Sequence, residues 1–289
     1  MNIHEYLKTN VDEYEMFRIA KSLNDNYQPF LLDCQVWELL QNVVPKNIFN
    51  DVFLPYKNDI VGHKIVNDIV MNTYFGERKV KYHLSKKYMG RTDEVSVFEF
   101  NVGSSRLDFA RVNGSSYAYE IKTELDSLEK LEKQMIDYSK VFEYLHVVCH
   151  PDHLNKVKTK VPSYCGIVTY NSEKVDFPFY YRRKRFLNPN LNSKSQLESL
   201  TTRELEKILK KEGYNSVPEI REEREYVLLE KLSSKKINHH FKETIKRRFH
   251  KRWNFVCLNI DNIQPIDIQP FFKSTADPYW VYYKNSSMV

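Results

Sequence analysis

Asn113-Gly114 stands between two strand-like segments, Arg106 to Val112 and Tyr117 to Thr123, and no other feature limits the folding options of this chain as tightly. Asn-Gly supplies the positive backbone φ that tight hairpin turns need, so the two segments are expected to pair antiparallel. Pairing decides which side chains share a face, because successive strand residues point to opposite sides. Glu120 and Lys122 share a face whatever the register. Asp108 joins them only if the loop has an odd length. A two-residue Asn113-Gly114 loop sets Asp108 opposite Tyr119 and turns Glu120 away. A three-residue loop, Val112-Asn113-Gly114 with Gly114 left-handed, sets Asp108 opposite Ala118 and diagonal to Glu120. The odd loop, or an equivalent bulge, is the expectation.

Two carboxylates and a lysine on one face point to a particular chemistry. Asp108 and Glu120 offer hard oxygen ligands for Mg²⁺ or Mn²⁺ beside a phosphate. A lysine next to such a metal, here Lys122, can orient water or neutralise charge in the transition state. The carbonyl of Ile121 lies between the two side chains and can add a ligand. A further carboxylate comes from a helix running from Gly76 to about Tyr88, where positions 77, 80, 84 and 88 share one face. Glu77 thus sits on the stripe of Val80, Leu84 and Tyr88, and a carboxylate on a packing face needs a reason. Glu99, on the preceding strand, competes with Glu77 for that role.

Around the hairpin the chain reads as an α/β domain. Residues 1–75 are mainly helical, with Leu32, Val36, Leu39, Leu40 and Val43 at helical spacing up to Pro45 and a second helix through Ile65, Val66, Ile69 and Val70. Val95 to Val102 reads as a strand before the hairpin. Asp126-Ser127-Leu128-Glu129 has the form of a capping box opening a helix with the face Leu128, Leu131, Met135, Tyr138 and Phe142. Tyr144 to Cys149 and Cys165 to Tyr170 read as buried strands. Helix, three-stranded meander, helix and strand describe a mixed sheet flanked by helices. The polar stretch from Asn188 to Ser193 reads as a linker, and beyond it come helices near Leu205 to Leu209, near Tyr226 to Leu232 and from Phe241 to Trp253. The expected segments are a helical N-terminal region (1–75), a core (76–187), a basic helical module (188–253) and a docking tail (254–289).

At these residues the sequence resembles the PD-(D/E)xK nuclease superfamily, in particular small bacterial and phage members with an ordered R-x-D…Y-E-I-K…D-x-L…Q-x-x-x-Y pattern. That pattern reads here as Arg106-Leu107-Asp108, Tyr119-Glu120-Ile121-Lys122, Asp126-Ser127-Leu128 and Gln134…Tyr138. The resemblance covers roughly residues 76–170, with Leu107 in place of the nominal proline. It implies a restriction-endonuclease-like mixed sheet, metal ligation by Asp108 and Glu120, a catalytic Lys122 and a supporting Glu77. By the RecB-like members it also implies that Gln134 and Tyr138 border the site. The implied activity is Mg²⁺- or Mn²⁺-dependent hydrolysis of phosphodiester bonds, with DNA as substrate ahead of RNA. The alternative is a member that keeps the fold, has lost catalysis, and binds nucleic acid or regulates. An orphan nuclease suits a phage, mobile-element or anti-phage defence setting.

Charge distribution supports a polyanionic partner. Residues 181–253 hold 20 Lys/Arg against 10 Asp/Glu, leaving 24 against 28 elsewhere. The expected nucleic-acid contacts are Arg182, Arg183, Lys184 and Arg185, with Lys242, Lys246, Arg247, Arg248, Lys251 and Arg252 on the last helix. Solvated helix faces are the plain alternative. Leu200 to Leu232 also resembles helix-extended loop-helix DNA-binding modules of the SAP kind, on Leu205, Leu209 and Gly213. A structural role for this module, buttressing the core or joining two copies in a homo-oligomer, is the competing reading. Cys149-His150-Pro151-Asp152-His153 invites a zinc reading, but no second ligand cluster exists at usual spacing, and a turn is expected. His239-His240 is expected at a solvated helix end. The four cysteines form no CxxC pair, the N-terminus carries no signal-peptide pattern, and no apolar run approaches about 18 residues, so a cytoplasmic protein without a membrane segment is expected.

Overall fold

The computed structural model describes residues 3–174 and 176–283, and the chain divides into two units: residues 1–84 with 255–289, and residues 85–254. The boundaries fall inside helices α6 (Glu77–Tyr88) and α12 (Ser234–Asn259). The four segments read from the sequence are therefore grouped. The docking tail belongs with the N-terminal region, and the basic module belongs with the sheet. Among the described residues no helix is long and apolar enough to cross a membrane.

The first unit is helical, as the 3.6-residue spacing of its apolar side chains dictates. Helices α1 (Ile3–Asn10), α2 (Glu13–Asn26), α3 (Asp33–Val43), the short α4 (Lys46–Ile48) and α5 (Gly62–Thr73) enclose a core of Ile19, Leu23, Val36, Leu40, Ile65, Val66, Ile69 and Val70. Asp12 caps α2 by accepting the Glu15 N–H at 2.9 Å. Ile266 of the tail joins the same core, and its N–H donates to Asn67 Oδ1 at 3.1 Å. The carboxylate of Asp267 beside it is fully buried and accepts from the Tyr27 and Tyr282 hydroxyls, at 2.9 and 2.7 Å. Docking of the tail thus rests on apolar burial and one buried polar cluster.

The second unit is built on a six-stranded mixed sheet in the order β1 to β6. Strands β1 (Val95–Val102), β2 (Ser105–Val112) and β3 (Ser116–Lys122) form an antiparallel meander. Strands β3, β4 (Tyr144–Cys149) and β5 (Gly166–Tyr170) run parallel, which requires crossovers, and helices α7 (Leu131–Ser139) and α8 (Leu154–Lys160) supply them. The expected α/β architecture, a mixed sheet flanked by helices, is therefore present. A sixth strand, β6 (Phe179–Arg183), pairs antiparallel with β5 as the sheet edge. Sequence reading missed it because its residues are mostly exposed, three aromatic rings followed by two arginines, without apolar alternation.

The central hairpin has odd length, but its loop is Asn113–Ser115. Val112 pairs with Ser116, the Asn113 N–H donates to the Ser115 carbonyl at 3.0 Å, and Gly114 takes φ +96°. The loop lies one residue later than the sequence reading placed it, so Asp108 is not diagonal to Glu120. Phe109 pairs with Tyr119, and extending that register by one residue sets Asp108 directly opposite Glu120. The other hairpin turns at Gly103-Ser104, with Val102 opposite Ser105. One face of the meander is thereby aromatic, with Phe98, Phe109 and Tyr119 under Tyr88. The opposite face holds Val97, Ala110 and Ala118, then Glu99, Asp108 and Glu120.

Two further expectations are corrected. Asp126 does not open a capping box. Its Oδ2 accepts the Thr123 N–H and hydroxyl at 2.7 and 2.6 Å, closing the turn after β3, and α7 starts only at Leu131. The stretch Asn188–Ser193 is not a free linker. Asn188 is buried and its amide donates to the Phe142 and Ser139 carbonyls, while α9 (Ser193–Glu198) begins at once. Helices α10 (Thr202–Lys211) and α11 (Arg221–Lys231) follow, the first with a Thr201/Glu204 capping box.

Candidate active site

The carboxylates occupy one level of three adjacent strands, and the sheet is interrupted there. The β1–β2 ladder skips the Glu99–Asp108 position, and the β2–β3 ladder ends at Phe109–Tyr119. Glu99 takes φ +56° in the middle of a strand, a conformation rare and costly for a residue with a Cβ. In place of a ladder bond, the Ile121 N–H donates to Asp108 Oδ2 at 2.7 Å. Carboxylate oxygens of Glu99 and Asp108 lie within 4.8 Å of each other. Glu99 also ion-pairs with the exposed Arg106 at 2.5 Å.

Glu120 is buried in the middle of this arrangement. Its Oε1 accepts from Lys122 Nζ at 2.8 Å and its Oε2 from the Tyr138 hydroxyl at 2.9 Å. Tyr138 projects from α7 and its hydroxyl also reaches the Arg106 carbonyl at 3.0 Å, which ties the helix to β2 and β3. Burial by itself lowers the pKa of Lys122, but Glu120, then Asp108 and Asp126, outweigh it and hold the ammonium above its ordinary value. Burial, then Glu120 and Asp108, push the Tyr138 phenol far up, so it stays a protonated donor. Gln134 stands one turn before Tyr138 on α7, with its Oε1 buried and without a partner.

The structure therefore brings together Asp108, Glu120, Lys122, Gln134 and Tyr138, all anticipated from the sequence. Ile121 enters through its N–H. Glu77 lies in the first unit, at the start of α6, where it ion-pairs with Lys81, which in turn donates to Gln269 at 2.8 Å. Glu99, held in reserve on sequence grounds, is the carboxylate beside Asp108 within the second unit. The Gly103-Ser104 turn is the signal that would have set it opposite Asp108. The donor set is all carboxylate oxygen, with one fixed ammonium beside it, and such a set fits a hard divalent cation.

The basic residues divide into two groups. On α12, Lys242 pairs with Glu143 at 3.0 Å, Lys246 with Asp93, and Arg248 with Glu204, so these cations fasten the helix to its own unit. Arg247, Lys251 and Arg252 are exposed. In β6, Arg183 is committed to the Cys165 and Pro162 carbonyls, whereas Arg182 and Lys184 are exposed and Arg185 is partly so. His150 and His153 use their rings on the Asp152 N–H and the Thr123 carbonyl in a 3-10 turn after β4, and burial pushes the Cys149 thiol up to about 12. His240 is buried against Glu212 at 2.7 Å rather than solvated.

Comparison with known proteins gives a consistent family. The family model described as bacteriophage P4 protein cII matches residues 71–271, a span that includes every residue of the site and all of α12. Protein cII of Enterobacteria phage P4 is 32% identical over 165 residues, which cover 57% of this chain and 62% of that protein. This chain thus spans under two thirds of the length of the curated relative it matches. No solved structure matches. With the family model covering more than half of its length, the chain belongs to the bacteriophage P4 protein cII family.

Proposed function

We propose that this protein is a metal-dependent nuclease of PD-(D/E)xK type that hydrolyses phosphodiester bonds in DNA. One observation carries the reading: Glu99, Asp108 and Glu120 share one face and one level of three neighbouring strands, at a break in the ladder, with Lys122 bonded to Glu120. Asp108, Glu120 and Glu99 would hold Mg²⁺ or Mn²⁺, with the Ile121 carbonyl as the further oxygen. When bound, that ion supplies charge stabilisation at phosphoryl oxygens and acidifies water. Lys122, kept protonated by its neighbours, orients the attacking water or neutralises charge on the phosphate. Tyr138 positions Glu120 by hydrogen bonding from α7, and Gln134 borders it one turn earlier on the same helix.

A second reading has its own support. Both oxygens of Glu120 are already engaged, by Lys122 and Tyr138. A closed, salt-bridged carboxylate suits a member of the same fold that binds nucleic acid, or regulates, without cutting. Two measurements separate the readings. Plasmid DNA with Mg²⁺ or Mn²⁺ should be nicked or degraded by the protein, and Asp108→Asn and Lys122→Ala should each lower that rate by roughly 100-fold or more. Mn²⁺ should also raise the melting temperature of the wild type and leave that of Asp108→Asn unmoved. Cleavage retained in both variants, or no metal response in the wild type, would overturn the nuclease reading.

A further inference from the structure

Strand β6 is an edge with unusual side chains. Tyr181 is 56% exposed, Phe186 just beyond the strand 58%, and Tyr180 37%. Exposed aromatic edges invite aggregation unless charge guards them. Here the guard is cationic. Lys87 Nζ lies 4.8 Å from the Tyr181 ring centroid, and the Arg182 guanidinium 5.2 Å from that of Tyr180. Arg185 lies 5.2 and 5.3 Å from the rings of Tyr117 and Tyr144, themselves stacked at 5.1 Å.

Among the described residues Lys87, Arg182, Lys184 and Arg185 form no ion pair with a carboxylate, unlike Lys242, Lys246 and Arg248 of α12. Glu173 and Asp176, in the turn before β6, likewise make none with them. This strip therefore combines unneutralised positive charge with aromatic rings open to solvent. A polyanion with flat apolar faces complements both properties at once. Duplex DNA hides its base faces, so the rings would contribute nothing to it, whereas a single strand offers bases to the rings and phosphates to the cations.

We infer that the β6 edge, from Tyr180 to Phe186, is a stacking platform for single-stranded nucleic acid. It rests on the nucleic-acid reading of the site and adds the substrate class, an unpaired strand. Tyr180 to Phe186 spans about 20 Å at the rise of extended chain, enough for several nucleotides. Register also relates the platform to the carboxylates. Lys122 pairs with Cys149, Cys149 with Thr169 and Thr169 with Tyr180, so Tyr180 lies at the level and on the face of the site, three strands and about 14 Å across the sheet, while Tyr181, in register with Ile121, points to the other face.

The test is fluorescence anisotropy with a labelled oligo-dT of about 15 nucleotides, an oligo-rU of equal length and a duplex of equal length, all in EDTA so that nothing is cut. The full chain should bind a single strand more tightly than the duplex, and binding should weaken with salt. Comparing the dT and rU arms tells a deoxyribose strand from a ribose one. Tyr181→Ala and Phe186→Ala should each weaken single-strand binding by about tenfold. Lys184→Glu, a surface change outside the strand, should weaken it too, and circular dichroism confirms the fold of each variant. Equal affinity for duplex and single strand, or unchanged affinity in the aromatic variants, would overturn the platform. Asp108→Asn should bind as the wild type does. Loss of cutting in that variant with binding intact bears on the active site alone, and failed single-strand binding by a protein that still cuts sinks only the platform.

Discussion

His146 makes the second unit sensitive to acid, and the size of the effect follows from where the ring sits. It lies in β4, almost wholly buried, stacked on Tyr119 with centroids 4.5 Å apart and planes at 9°. Burial, then the positive charges of Arg185 and Arg111, push its pKa down from 6.5 to about 3. Between those values the unfolded chain binds the proton and the folded chain does not. Stability from this residue is therefore fully present above pH 6.5 and is lost as pH falls toward 3. At 1.36 kcal/mol per pH unit the loss is about 3 kcal/mol at pH 4 and about 5 kcal/mol below pH 3. His146→Phe keeps a ring against Tyr119 and removes the titration. Urea unfolding of both proteins at pH 7 and pH 4 should show the variant losing about 3 kcal/mol less, with every other titrating group common to the pair. Hydrogen exchange of the β4 amides assigns the change to the second unit. Parallel losses in the two proteins, or an NMR titration of His146 near 6.5 in the folded protein, would refute the argument.

Two other outcomes follow from buried or strained groups. Glu99→Gly removes the cost of a side chain at φ +56° and one of two close carboxylates, so the melting temperature should rise by the equivalent of about 1 kcal/mol while cleavage, under the proposed function, falls; a destabilised variant would count against strain at that position. Burial raises Asp267 from 3.8 to about 6, so its contribution is fully present below pH 3.8 and lost as pH rises through 6, about 3 kcal/mol in all. Asp267→Asn should flatten the stability of the first unit across pH 4 to 6, and an unchanged pH profile there would contradict the assignment.

Strong local chemistry was legible without coordinates. The Asn113-Gly114 turn, the apolar stripes of α3 and α5, and the buried strands β4 and β5 each depend on a few neighbouring residues, and they fold where those residues say. Glu120 and Lys122 share a face because two-residue spacing in a strand requires it. β6 was not legible, since an edge strand with exposed cations has no apolar period to read. The failed capping box at Asp126 has a similar cause: Thr123 supplies a nearer donor pair than a helix N-terminus would.

The sequence by itself determined which residue types could do chemistry and that an odd hairpin register was needed to unite them. Only the tertiary structure decided that the loop is Asn113–Ser115, which moves Asp108 from a diagonal to a direct position against Glu120. It likewise decided that Glu99 stands beside Asp108, and that half the cations of α12 hold the helix to its own unit. The physical reason is common to all three. A strand's alternation is a local property, but register and ion pairing are set by partners far away in the chain, and a shift of one residue changes which side chains meet.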